Sequence, residues 1–180
     1  MRIYLVRHPA PTNVEGLCYG RLDVTVQPRA LADTAESVLA QIPSQTLPSA
    51  QVYSSPSSRC LALAERLASP RKPTAAADLA EMSFGRWEGI AWDALPREQI
   101  DAWGNDVWSY RPGGGESAEM VATRWLRWLD HLRQIDDGTV VAVTHAGVIR
   151  VALARSGLIN GSSALEFPIP FGSVHRLDLA

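Results

Sequence analysis

Two short apolar runs, each ending on a histidine, constrain this chain most: Leu5-Val6-Arg7-His8 and Val143-Thr144-His145-Ala146-Gly147. Runs this short and this rich in aliphatic and β-branched residues read as buried strands. In open α/β sheets, ligands bind outside the carboxyl ends of the strands. The two histidines, one with an arginine beside it, are therefore expected at one edge of one sheet.

The rest of the chain fits that frame. Residues 2–6 read as the first strand, and 7–25 as a long loop rich in Pro, Gly and Asn. A helix is expected from Pro28, since proline suits the first helical position, with Leu31, Ala35, Val38, Leu39 and Ile42 as its apolar stripe. Residues 51–54 form a short strand broken by Ser55-Pro56. Ser58 is placed to cap the next helix, which buries Cys60, Leu63, Ala64, Leu67 and Ala68. A turn at 69–73 precedes a second short strand at 74–77, and 78–115 reads as irregular, with short helical pieces at most. A long helix over 116–134 carries Val121, Trp125, Trp128, Leu129 and Leu132 on one face. Residues 138–144 make the most apolar strand, 147–156 a helix and 173–179 a last strand. This alternation predicts an α/β fold, a three-layer α/β/α sandwich with a largely parallel central sheet, as one domain over residues 1–180.

Composition narrows the partners. A formal net charge of −2 leaves no electrostatic footprint for nucleic acid or an anionic membrane, so neither is expected as a partner and any anion site must be local. Cys18 and Cys60 are too few and too far apart for a disulfide framework or a zinc cluster, and reduced thiols in a cytoplasmic protein are expected. The chain opens directly on a strand, so no signal peptide is expected, and no apolar run approaches a membrane span.

A third segment joins the two histidines. Ser54-Ser55-Pro56-Ser57-Ser58-Arg59 runs from a strand end into a helix start, where free N–H groups and the helix dipole favour an anion. Three strand ends thus supply two arginines and two histidines. Imidazole is a nucleophile at neutral pH, and guanidinium is a planar, permanent cation matched to phosphate oxygens. The combination points to phosphoryl transfer through a phosphohistidine.

These segments, in this order, resemble the histidine phosphatase superfamily, with its phosphoglycerate-mutase-like fold. Two further matches are Glu81-Met82-Ser83-Phe84-Gly85-Arg86-Trp87-Glu88-Gly89, similar to the family's acidic segment, and Pro112-Gly113-Gly114-Gly115-Glu116-Ser117, similar to its Gly-Glu-Ser helix start. The resemblance covers nearly the whole chain. It implies that His8 attacks phosphorus and forms a phosphohistidine that water then hydrolyses. Arg7, Arg59 and His145 would hold the non-bridging oxygens, His145 as a cation favoured by the dianion. Glu81 would protonate the leaving alkoxide and then take a proton from water, a role that needs a carboxyl of raised pKa, obtainable beside Met82, Phe84 and Trp87. Asp78 and Glu88 are rival carboxylates in the same stretch. No metal or other cofactor is implied.

The chain departs from the family's commonest first loop. That loop continues Arg-His-Gly-Glu-Thr, whereas Pro9, Ala10 and Pro11 follow His8 here, and Pro9 has no N–H to offer phosphate. The asparagine that many members carry six residues after the histidine falls on Val14, with Asn13 adjacent. The segment Gly16-Leu17-Cys18-Tyr19-Gly20-Arg21-Leu22-Asp23 resembles the Cys-Tyr-Gly-Arg segment of bacterial α-ribazole phosphatases, which makes Tyr19, Gly20 and Arg21 candidate substrate-binding residues.

The expected activity is therefore hydrolysis of a small-molecule phosphate monoester, α-ribazole 5′-phosphate of cobalamin biosynthesis first, with sugar or nucleotide phosphates as the alternative. Mutase activity is less expected, because the compact chain has little room for segments that shield a phosphohistidine. A phosphohistidine-protein phosphatase is disfavoured by the Phe84-to-Gly89 segment. An inactive relative that only binds a phosphorylated ligand is the alternative of another class, and the presence of Arg7, His8, Arg59, Glu81 and His145 argues against it. His175 and His131 read as a satisfied strand histidine and a solvated helix histidine. Trp125 and Trp128 belong to a core face. Trp87, Trp92, Trp103 and Trp108 form either a packed subdomain or a lid on which a flat base could stack.

Overall fold

A computed structural model describes residues 1–135 and 138–179. Five strands form one sheet in the order β3-β2-β4-β1-β5, where β1 is Arg2–Arg7, β2 Gln51–Ser54, β3 Thr74–Ala75, β4 Thr139–Thr144 and β5 Val174–Asp178. All pairs are parallel except β1 with β5. The expected mixed α/β fold with a mostly parallel sheet is what forms.

Alternation along the two central strands explains the layers. Ile3, Leu5, Val140 and Ala142 join one core with α4 (Ala118–Ile135) and α5 (Ala146–Arg155). Tyr4, Val6, Val141 and Val143 join the other with α1 (Pro28–Gln41) and α2 (Ser58–Ala68). A period of two in the strands thus feeds apolar side chains to both faces, and a helix pair covers each. Trp125 is 1% exposed in the first core, so its truncation to Ala would cost about 3–5 kcal/mol.

Three local expectations need correction. Leu39 of the α1 stripe is exposed, because the face against the sheet is carried by Ala35 and Val38, with Ile42 just past the helix end. Ser58 does not cap α2. Ser57 occupies the cap position without a side-chain bond, and Asp23 Oδ1 accepts both the Ser58 N–H (2.9 Å) and the Ser58 hydroxyl (2.8 Å). The cap therefore comes from the first loop, 35 residues away in sequence. The irregular stretch holds four 3₁₀ turns, at Ala77–Leu79, Gly85–Trp87, Trp92–Ala94 and Pro112–Gly114, and one α-helix, α3 (Arg97–Asn105), longer than the short pieces expected.

This stretch has its own small core. Cys18, Trp87 and Leu95 are buried together, with Phe84, Ile100, Trp103 and Tyr110 packed on them, and Trp92 stacks on Trp103 with an interplanar angle of 8°. It is a packed, loop-rich subdomain, and the tryptophans are not spread as a free lid. His131 is exposed, while His175 is half-buried with Nε2 2.9 Å from the Ser173 hydroxyl. Among the described residues no helix is long and apolar enough to cross a membrane.

Candidate active site

The sheet ladder itself brings the two histidines together. β1 and β4 pair in parallel up to Arg7 and Thr144, and the ladder runs one step further as the His8 amide donates to the Thr144 carbonyl (3.1 Å). Beside them the Ser55 amide donates to the Val143 carbonyl (2.9 Å), which seats the start of α2 and delivers Arg59. His8 and His145 end with ring centroids 5.1 Å apart, and His8, Arg59 and His145 are each at most 1% exposed.

Hydrogen bonding fixes both tautomers, since a guanidinium has only donors. Arg59 Nε approaches His8 Nε2 at 3.4 Å, so that nitrogen presents its lone pair, and Nδ1–H donates to the Pro9 carbonyl at 2.7 Å. Arg59 Nη2 lies 3.2 Å from His145 Nδ1, so His145 carries its proton on Nε2 and donates it to the Ser55 hydroxyl at 2.7 Å. The Cys60 thiol sits 3.4 Å from the same Nε2. Pro9 thus lacks an amide to give phosphate, yet its carbonyl orients the nucleophilic face of His8.

Burial and cations keep both rings neutral. Desolvation, then Arg59, drives His8 down to about 3, against which the Pro9 bond pulls weakly upward. Desolvation, then His8 and Arg59, holds His145 well below the ordinary histidine value. The cationic His145 expected from the sequence is therefore not the form of the ligand-free site.

Arg7 ends β1, directly before His8. One Nη donates to the Ile169 carbonyl, the guanidinium lies 3.7 Å from the centre of the Phe171 ring, and the buried Nε has no hydrogen-bond partner among the described residues. Burial lowers the Arg7 pKa, and Tyr19 and Glu81 offset it. An unpaired buried donor costs free energy until a ligand supplies an acceptor, and a phosphate oxygen is one.

Glu81 reaches the same region from the irregular stretch. Its Oε1 accepts from the Met82 amide (2.8 Å) and its Oε2 from the Gly147 amide at the start of α5 (3.4 Å). A Cβ at 147 would stand 2.4 Å from Glu81 Oε1, so any other residue there displaces the carboxylate. The rival carboxylates are occupied elsewhere. Asp78 pairs with Arg127, and Glu88 Oε1 accepts the Phe84 amide at 2.9 Å.

Two spaces meet at Glu81 and Phe84. An open cleft of about 330 Å³ is lined by Arg7, Val14, Gly16, Leu17, Tyr19, Gly20 and Trp92 as well. A smaller cavity of about 100 Å³ lies on the other side, lined by Trp103, Trp108, Gly147, Arg150 and apolar side chains. Of the first-loop candidates, Tyr19 faces the open cleft, with its ring 5.3 Å from the Arg59 guanidinium. The Gly20 carbonyl accepts from Arg59 Nη2 (2.7 Å), and the Leu22 carbonyl accepts from Nη1 (2.8 Å). Arg21 instead donates to the Glu81 carbonyl (3.1 Å). Asn13 is an exposed turn residue with φ 58°, and Val14 lines the cleft.

Sequence reasoning missed Phe171 and the Ile169 carbonyl, which sit where residue pattern carries no signal, and Arg150, a charge amid the apolar residues of α5. It also missed Arg124, whose signal was legible: a charge three residues after Val121, beside the apolar stripe of α4.

The comparisons agree with this geometry. The chain matches Histidine phosphatase superfamily (branch 1) over residues 3–180. No curated protein sequence matches it. Among solved structures it is similar to TTHB049 from Thermus thermophilus, at 27% identity and a TM-score of 0.75, covering 99% of this chain and 93% of that one. It is similar to the α-ribazole phosphatase from Shigella flexneri at 25% identity and a TM-score of 0.80, covering 100% and 91%. Its fold is also that of a mycobacterial glucosyl-3-phosphoglycerate phosphatase, with 22% identity, a TM-score of 0.84 and coverage of 98% and 92%. With strand-end histidines, paired arginines and a family match over nearly its whole length, the chain belongs to the histidine phosphatase superfamily.

Proposed function

We propose that this protein is a cytoplasmic phosphomonoester hydrolase working through a phosphohistidine on His8. The observation that carries the reading is the His8 ring: buried, neutral, with Nδ1–H held by Pro9 and Nε2 turned toward Arg59. A neutral imidazole fixed in that tautomer is a competent nucleophile without a separate base.

In the first half-reaction the Nε2–P bond forms as the P–O bond to the alcohol breaks. The leaving oxygen takes a proton from Glu81. In the second, water attacks phosphorus, Glu81 takes the proton back, and the N–P bond breaks to release phosphate. Arg7 and Arg59 meet the charge on the non-bridging oxygens, and Arg7 Nε gains the acceptor it lacks. A dianion beside His145 reverses the balance that keeps it neutral, so substrate binding is coupled to proton uptake there. The chemistry calls on no metal.

The specific substrate we propose is α-ribazole 5′-phosphate. The Cys18-to-Arg21 segment, the cleft walls of Tyr19, Phe84 and Trp92, and the likeness to the Shigella flexneri enzyme support it. Flat aromatic walls suit a stacked base. The test is phosphate release from α-ribazole 5′-phosphate against sugar phosphates, nucleotides and p-nitrophenyl phosphate, with His8→Ala as blank. A preference in kcat/KM for the ribazole ester is expected. Turnover without that preference would discard the cobalamin assignment and keep the phosphatase. No His8-dependent release from any ester would leave a phospho-ligand binding protein.

A further inference from the structure

The segment that carries Glu81 has almost no regular structure, yet side chains from several other elements bind its backbone. The Asp78 carbonyl accepts from Arg124 Nη1 (2.6 Å), the Leu79 carbonyl from the Thr144 hydroxyl (2.7 Å) and the Glu81 carbonyl from Arg21 Nε (3.1 Å). The Ser83 amide donates to Glu116 Oε2 (2.9 Å), and the Ser83 carbonyl accepts from the Glu116 amide (2.7 Å). Glu116 is the hub. Its carboxylate also pairs with Arg124 (3.1 Å) and with Arg21 Nη2 (3.0 Å).

The hub is electrostatically committed. Burial pushes the Glu116 carboxyl up, but Arg124, the Ser83 amide and Arg21 outweigh it and hold the group below its ordinary value. Arg124 is buried, so a neutral Glu116 would leave a stranded cation. Arg21 differs: its side chain is 45% exposed and its removal strands nothing inside the core.

We propose that Arg21 and Glu116 are positioning residues that clamp the Glu81 segment, so that the Arg21 of the Tyr19-Gly20-Arg21 stretch acts on the general acid and not on the substrate. Arg21 does so by bridging two points, the Glu81 carbonyl and the Glu116 carboxylate, with one planar fork. A lysine has a single point charge and cannot bridge both in that geometry. Because Tyr19 and Gly20 touch the cleft and Arg59, the clamp also ties the first loop to the acid.

This inference rests on Glu81 being the general acid, and the experiment separates the two. Turnover of an alkyl phosphate and of p-nitrophenyl phosphate is measured for Arg21→Ala, Arg21→Lys, Glu81→Gln and the Arg21→Ala/Glu81→Gln pair. A group displaced by a fraction of an ångström loses about tenfold in rate, so Arg21→Ala should lower kcat on the alkyl ester about tenfold more than on the aryl ester. KM should stay within about twofold, Arg21→Lys should recover only part, and Arg21→Ala should add nothing in the Glu81→Gln background. A rise in KM that persists in that background would overturn the clamp and return Arg21 to substrate binding. Unchanged kinetics in Arg21→Ala would overturn it as well. Equal losses on both esters in Glu81→Gln alone would overturn the acid assignment itself. Glu116→Gln, read with a thermal melt, should show the same selectivity for the alkyl ester in the protein that remains folded; an equal loss on both esters would contradict its place in the clamp.

Discussion

His8, Arg59 and His145 stand at the ends of adjacent regular elements, whereas Glu81 stands on a stretch with no ladder of its own. The phosphate-facing group inherits its precision from sheet register: once β1 pairs with β4, the two histidines have nowhere else to go. The acid has to be held by the Arg124 and Arg21 side chains, from α4 and the first loop, and by the Gly147 backbone amide at the start of α5. The first arrangement is rigid because the core is rigid. The second depends on individual polar contacts, buried ones from Thr144 and Arg124 and an exposed one from Arg21, so a substitution at the exposed contact can misplace the acid without unfolding the protein.

The largest effect that separates the two regions is expected from Glu81→Gln. Loss of a general acid costs about 10²–10⁴-fold, and it should fall on alkyl phosphates, with aryl phosphates largely spared because their leaving groups need little protonation. Steady-state kinetics on both ester classes checks this. Gly147→Ala comes next, since the new methyl would stand 2.4 Å from Glu81 Oε1 and push the carboxylate aside. A displacement approaching 1 Å predicts a loss of about 10²-fold with the same selectivity, and a melting temperature close to the parent's. Equal losses on both esters would mean that the phosphate cradle had moved too.

The histidines make a prediction of a different kind. In the folded protein His8 titrates near 3, below its ordinary 6.5, and His145 is shifted the same way. Between those values the unfolded chain binds protons that the folded protein refuses. Stability is therefore full above about pH 6.5 and falls as the pH drops toward 3, by up to about 1.4 kcal/mol per pH unit for His8, with His145 adding in the same direction. Denaturant melts between pH 7 and 4.5 should show that slope, and His8→Asn should make it shallower. A flat profile would mean that the cradle is wet. The smallest effect belongs to Asp23, whose carboxylate caps α2 from the first loop. Asp23→Ala should cost about 1 kcal/mol in a thermal or urea melt.

The same contrast explains what the sequence made legible. The strands, the helix pairs and the residues at strand ends follow from periodicity, so His8, His145 and Arg59 could be placed at one sheet edge from pattern alone. Position 81 could be singled out only by resemblance, because residue pattern between 78 and 115 does not encode a path. The Asp23 cap is not legible for a related reason: Ser57 and Ser58 are good local caps, and the partner that binds the Ser58 amide lies in a distant loop. Pro9 has no amide to give phosphate, yet its carbonyl is what orients His8. Non-local polar contacts to backbone are the part of this fold that spacing does not reveal.

The central claim is that His8 Nε2 carries the phosphoryl group in the reaction. The direct measurement is to mix enzyme with substrate, quench in alkali within the first turnover, and locate the modified residue by peptide mass spectrometry. A phosphate on His8 that is stable in alkali and lost in acid, and that is absent from His8→Ala, is the predicted result. Phosphate on another residue, or full turnover in His8→Ala, would contradict the account.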